Sequence, residues 1–166
     1  LVFAISGAIN RLSLSTATML FILYSVINGA TLSSIFFAFS VATISKVFFI
    51  TAGTFGAMAL VGYTTKTDLT SMGKLLFMAL LGIIIASVVN MFVASSGLDL
   101  ILSYVGVLVF VGLTAYDTQK IKQMCQAAPD ASESSQKLAL IGALSLYLDF
   151  INLFLYLLRI FGNNRD

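Results

Sequence analysis

The stretch KLALIGALSLYLDFINLFLYLLRIFG, Lys137 to Gly162, decides how the rest of the chain is read. At ~1.5 Å per residue, Leu138 to Phe161 reaches about 36 Å, enough to cross a hydrocarbon core of ~30 Å. Its only acidic group, Asp149, falls near the middle. A charge facing lipid at that depth costs at least a few kcal/mol, so Asp149 must face protein or water. Gly142, Ser145, Asp149, Asn152 and Tyr156 recur at steps of three and four, which places them on one small-and-polar stripe of a helix. The other faces are almost wholly Leu, Ile, Phe and Ala. This helix is therefore expected at the middle of a bundle, as its most buried span, with Asp149 aimed at a partner on another helix.

The composition agrees. The 166-residue chain is 59% hydrophobic and 10% charged, with a mean hydropathy of +1.02. A soluble domain carries about 25% charge. The class is an all-α, polytopic membrane protein set in a lipid bilayer; a β-barrel would show short alternating segments instead. A net charge of only +2 gives no support for a nucleic-acid partner. With no His and one Cys, Cys125, the chain cannot build a disulfide framework, a His/Cys metal site, or a Ser–His or Cys–His catalytic pair by itself. No cofactor is expected.

Residues 1–9 are apolar but too short to span, and they lack the charged flank and cleavage site of a signal peptide. They read as the end of a longer helix. A polar hinge carrying Arg11 follows, and then five full spans are expected at 18–41, 47–63, 75–94, 100–118 and 138–161, all in one domain, 1–166. Lys46 is expected to mark the break between the first two. Ala52 with Gly56, and Gly53 with Ala57, form small-xxx-small pairs suited to close helix contact. Asn28 and Asn90 are expected to hydrogen-bond between helices. Residues 119–137, with the sole proline Pro129, read as a solvated loop in which Cys125 is a free thiol. Alternate loops place Arg11, Lys66, Lys74, Lys120, Lys122 and Lys137 on one side, and Lys46, Arg159 and Arg165 on the other. The more basic side is expected to be cytoplasmic. A re-entrant last segment would return both C-terminal arginines there, but its length favours a full span.

Asp117 is the second carboxylate among apolar residues. It closes its span in line with Gly106, Phe110 and Thr114. Asp149 lies deeper, so the two meet if the last helix is shifted or tilted. Two carboxylates in one low-dielectric site cannot both ionise cheaply: one keeps its proton, and the pair titrates as a unit. That makes a pH sensor without histidine. Arg11, at the same membrane face, can neutralise the remaining charge, and breaking that contact on protonation or cation entry would open a path. The plainer alternatives stand beside it: Asp117 pairing at the interface with Lys120 or Lys122, and Arg11 as an ordinary positive-inside anchor. A shared proton is also aspartyl-protease chemistry, but no enzyme motif accompanies the pair, so no enzyme is expected.

Four phrases, NGATLSSIF (Asn28 to Phe36), GYTTKTDL (Gly62 to Leu69), GLTAYDTQKIK (Gly112 to Lys122) and GALSLYLDFINLFLYLLRIFG (Gly142 to Gly162), resemble the Bax inhibitor, or TMBIM, family, and its bacterial inner-membrane members most. The resemblance implies a seven-helix bundle with a central C-terminal helix, of which helix one and most of helix two are absent here, residues 1–9 being the end of helix two. It implies a pH-sensitive calcium leak. Asp117 and Asp149 fall on the family's sensing pair, where calcium would make transient contact, and Arg11 falls on the arginine that latches it. The connection before the last helix is longer than in some members. Some bacterial members are linked to a membrane-bound AAA protease. The alternative class is therefore a non-transporting regulator or substrate of such a protease.

Overall fold

The computed structural model describes residues 6–128 and 130–162. Six helices follow in order: α1 Leu14–Leu32, α2 Ile35–Ala38, α3 Val41–Thr64, α4 Thr70–Val93, α5 Ser96–Ala127 and α6 Glu133–Gly162. Five segments are long and apolar enough to cross a membrane: α1 with α2 (Leu14–Ala38), α3, α4, α5 and α6. The fold is an all-α membrane bundle. Of the apolar stub expected at 1–9, residues 6–8 are helical and the first five lie outside the described residues. Ile9 is buried with Ala17 and Leu144, which packs the start of the described chain against α1 and α6.

Helix starts are set by caps, and this moves the sequence-based boundaries. Ser13, Ser40 and Ser95 each take an extended backbone and accept a hydrogen bond from the amide three residues on: Thr16, Thr43 and Leu98. The first expected span, 18–41, thus begins at Leu14. It is interrupted at Ser33 and Ser34, whose hydroxyls bond back to the Ala30 and Thr31 carbonyls. Lys46 marks no break. It sits exposed in the second turn of α3, because a lysine can run its stem along a helix and reach water, and Ser40 is the residue that stops and restarts the chain.

The largest correction concerns 119–137. Little of it is loop: α5 continues to Ala127 and α6 starts at Glu133. Lys, Gln, Met and Ala are good helix formers, so a helix that leaves the membrane has no reason to end at the interface. Ala128 is extended, with φ −74° and ψ 119°, as the residue before a proline prefers. At ~1.5 Å per residue, the 32-residue α5 is roughly 48 Å long and projects beyond a ~30 Å core.

Side-chain ties fix which ends lie together. The Leu14 amide donates to Glu133 Oε1 at 3.1 Å, Lys122 Nζ to the Tyr63 carbonyl at 2.6 Å, and the Leu69 amide to Gln119 Oε1 at 2.9 Å. At the opposite end Arg159 pairs with Asp99 at 3.5 Å, and Phe39 packs on Gly162. Helix α6 therefore runs the length of the bundle as one full span. Two helices share the centre: α5 packs against α3, α4 and α6, and α6 against α1, α3 and α5. The expectation that α6 is the most buried span needs amendment, since α5 has nine buried residues to its eight. The core between them holds Val47, Ile83, Val109, Phe110, Leu113, Leu153 and Leu158. Phe37, Phe49, Met91 and Phe92 point outward, as side chains that meet lipid tails do.

Two further expectations are corrected. A Cβ added at Gly53 or Gly56 would have nothing within 4 Å, so that small-residue face of α3 meets no helix among the described residues. Asn28 does bond between helices, donating to the Tyr147 hydroxyl at 3.1 Å, but the Asn90 side chain accepts locally from the Ser95 amide at 3.1 Å and caps α4.

Candidate functional site

The polar stripe of α6 lies against α5. Its two ends fix the antiparallel register. Ile121 of α5 packs over Gly142, where a Cβ would come within 2.7 Å, and the Tyr156 ring lies on Gly106, where a Cβ would meet three ring atoms at 2.7–2.8 Å. Small residues at both crossings let the helices approach closely, and between them Asp117 and Asp149 face each other. No special shift of the last helix is needed, because both helices extend well past the membrane boundary toward their connecting turn.

Asp149 is 4% exposed, and its Oδ2 finds no N–H or O–H donor among the described residues. Its close polar neighbour is the Asp117 carboxyl. Ionised carboxylates only accept, so this contact needs a proton on one of the two. Around them, Thr114 is fully buried with its hydroxyl spent on the Phe110 carbonyl, and Asn152 donates to the Leu148 carbonyl. Neither donates to the pair. The two acids therefore have chiefly each other.

The pair lines a cavity of about 910 Å³ between α4, α5 and α6, whose walls include Phe77, Ile84, Phe110, Leu113 and Tyr156. Lys74 and Lys120 stand at its rim. Lys120, one turn beyond Asp117, is the cation whose charge acts on it. Lys122, the other candidate partner, is engaged elsewhere: besides its bond to Tyr63, its ammonium lies 4.8 Å from the centroid of that ring. Arg11 is exposed and makes no ion pair among the described residues, so the structure unites two of the three sequence-picked residues and leaves the third outside.

Gln119 was not singled out from sequence. It is 7% exposed and clamps the α3–α4 connection, donating from Nε2 to the Thr67 carbonyl at 2.8 Å while Oε1 accepts from the Leu69 amide. The two phrases at 62–69 and 112–122 thus dock on one another. A glutamine beside a predicted loop carries no local signal of such a role. The exposed Cys125 is a free thiol, as read from sequence.

The relatives agree with this architecture. A protein family described as "Inhibitor of apoptosis-promoting Bax1" matches residues 1–166. The chain is 56% identical over 166 residues to an uncharacterised protein of Borreliella burgdorferi, covering 100% of this chain and 72% of that one. It is 55% identical over 166 residues to the inner membrane protein YbhL of Escherichia coli K12, covering 99% and 71%. It is 50% identical over 156 residues to protein RP147 of Rickettsia prowazekii, covering 94% and 66%. With its helical bundle and five spans, the chain belongs to the Bax inhibitor family.

Proposed function

We propose that this multi-pass protein of the bacterial inner membrane is a pH-sensitive cation leak, with calcium as its cargo and the Asp117–Asp149 pair as its gate. The observation that carries the reading is a buried carboxyl whose near partner is a second carboxyl, in the wall of a large half-open cavity between three membrane helices. A purely structural polar contact would use a complementary donor; two acids in contact make protonation state the variable that sets the geometry. With one proton shared, the pair bridges α5 and α6. With both ionised, repulsion parts them, and their oxygens become hard ligands for a passing divalent cation. No residue is assigned a catalytic role. Lys120, unlike Arg11, lines the cavity one turn from Asp117.

Calcium entry into proteoliposomes, measured between about pH 5 and 8, tests this. The wild type should show a steep pH dependence near neutrality. Asp117→Asn and Asp149→Asn should each abolish it, and the double variant should match the singles, since residues titrating as one unit are not additive. Normal pH dependence in Asp117→Asn with loss only in Asp149→Asn would leave Asp149 as a lone site. Flux no greater than that of empty vesicles would reject the leak and favour the alternative, a regulator or substrate of a membrane-bound AAA protease.

A further inference from the structure

The cavity that holds the acids opens sideways. Helices α4 and α6 each pack on α5, and the space between them is a groove floored by Phe110, Leu113 and Tyr116. Along its outer edge Phe77, Met78 and Ile84 of α4 are exposed, so the opening faces the surroundings of the bundle. At membrane depth those surroundings are hydrocarbon. A gap left empty there would forfeit dispersion contacts along every side chain that lines it, so acyl chains fill it.

Its charged end sets this groove apart from the plain lipid-facing surface. The Tyr116 ring lies on Gly73 and pins α4 to α5. Lys74 follows Gly73, and Lys120 stands one turn beyond Tyr116, so two helices bring two exposed ammonium groups to one mouth. Lys137 is paired with Glu133, and Lys122 is held at Tyr63. Lys74 and Lys120 make no ion pair among the described residues, although the charge of Lys120 acts on Asp117 one turn inside it. The length also fits. From Lys74 to Ile84 is about 15 Å of α4 at ~1.5 Å per residue, half of a ~30 Å hydrocarbon core and so the depth of one leaflet.

We infer that the groove binds one anionic phospholipid from the leaflet on the Lys74–Lys120 side, its phosphate on the two lysines and an acyl chain along Phe77, Ile84 and Leu113. Basic pockets between membrane helices hold anionic headgroups in this way, and a lysine's flexible stem lets its ammonium reach the headgroup level. A zwitterionic lipid of the same chain length fills the groove equally well but brings its own ammonium to a mouth that already has two. Net charge therefore selects the occupant. Such binding does not depend on ion transport. An acyl chain seated there also keeps water from reaching Asp149 from the side.

Native mass spectrometry tests this on the purified protein, delipidated in detergent and given phosphatidylglycerol or phosphatidylcholine of equal chain length. One phosphatidylglycerol per chain should be retained, several-fold more than phosphatidylcholine. Lys74→Gln with Lys120→Gln should lower its retention to that of phosphatidylcholine, whereas Lys74→Arg with Lys120→Arg should preserve it. Lys66→Gln, at an exposed lysine outside the groove, should change nothing. Glycerol phosphate, which lacks acyl chains, should not displace the lipid. Phosphatidylglycerol with a photoreactive acyl end should label α4 or α5 near Ile84 or Phe110. Equal retention of the two lipids, no effect of the glutamine pair, or displacement by glycerol phosphate would overturn the site. So would labelling confined to outward residues such as Phe37 and Phe49, the result expected if a helix of a second copy, or of polypeptide beyond residues 1–166, filled the groove instead.

Discussion

Replacing Gly62 by alanine should separate α3 from α5 next to the gate. An added Cβ would lie 2.8 Å from the Ala115 carbonyl carbon, 2.9 Å from its Cα and closer still to its oxygen. Ordinary contact begins at 3.4 Å, so the helices must part by well over half an ångström, the Ala115 oxygen setting the distance. Backbone cannot rotate away as a side-chain tip can. A gap of 0.5–1 Å forfeits roughly a quarter to a half of each dispersion contact, and in a membrane such packing is what holds helices together. Overpacking typically costs ~1–3 kcal/mol, here toward the upper end; better helix propensity returns ~1 kcal/mol, leaving a net loss of about 2. Gly53→Ala and Gly56→Ala meet nothing within 4 Å and should gain up to ~1 kcal/mol. Thermal unfolding of the detergent-solubilised proteins at one scan rate, followed by circular dichroism, should place Gly62→Ala about 4–8 °C below the parent and the other two at or above it. A Gly62→Ala protein that melts with the parent, or Gly53 and Gly56 variants that fall as far, would refute the packing assigned here. Because Ala115 precedes Asp117 by two residues, the same variant should also disturb the pH dependence of calcium entry.

Other perturbations have distinct signatures. Lys120→Met should alter the pH dependence of flux more than Arg11→Ala, since Lys120 is the charge acting on Asp117; the latch expected from sequence predicts the reverse order, with Arg11→Ala raising flux near neutral pH and Arg11→Lys only partly restoring closure. Gln119→Leu strands the Thr67 carbonyl and the Leu69 amide and should cost about 1–3 kcal/mol, read as faster proteolysis of the 64–70 connection, whereas Gln119→Glu keeps the Leu69 contact and should cost less. Asp68 is exposed, and hydrogen bonds from the Thr70 hydroxyl and amide hold its carboxyl below the usual value of 3.8. A folded-state value lower than the unfolded one means these two bonds are fully effective above the ordinary carboxylate range and are lost as pH falls through the lowered value. Protection of the amides at the start of α4, taken relative to their intrinsic exchange rate at each pH, should therefore fall at acid pH in the parent, and Asp68→Asn should remove that fall.

The sequence alone determined the environment of this chain, its helical class and its two acids set among apolar residues. Those follow from local rules: 59% hydrophobic composition, runs the length of a bilayer, and a carboxylate at mid-span that lipid will not accept. The stripe from Gly142 to Tyr156 was legible because 3.6-residue periodicity puts its members on one face whatever they touch. What they touch was not legible. The continuation of α5 to Ala127 sets the hairpin, and with it the register that brings Asp117 to Asp149, yet the chain there looks like an ordinary polar loop. Hydropathy reports where a helix leaves lipid, not where it ends. Close contact, likewise, belongs to pairs of helices: Gly53 and Gly56 each belong to a small-xxx-small pair, with Ala57 and Ala52, but Gly62, Gly106 and Gly142 have the neighbours. Arg11 and Lys120 bear the same charge at the same membrane face; helical spacing already puts Lys120 one turn from Asp117, but only the tertiary structure leaves Arg11 exposed and without an ion pair among the described residues. A side chain's partners are fixed by elements far away in sequence, and that information exists only once the helices have packed.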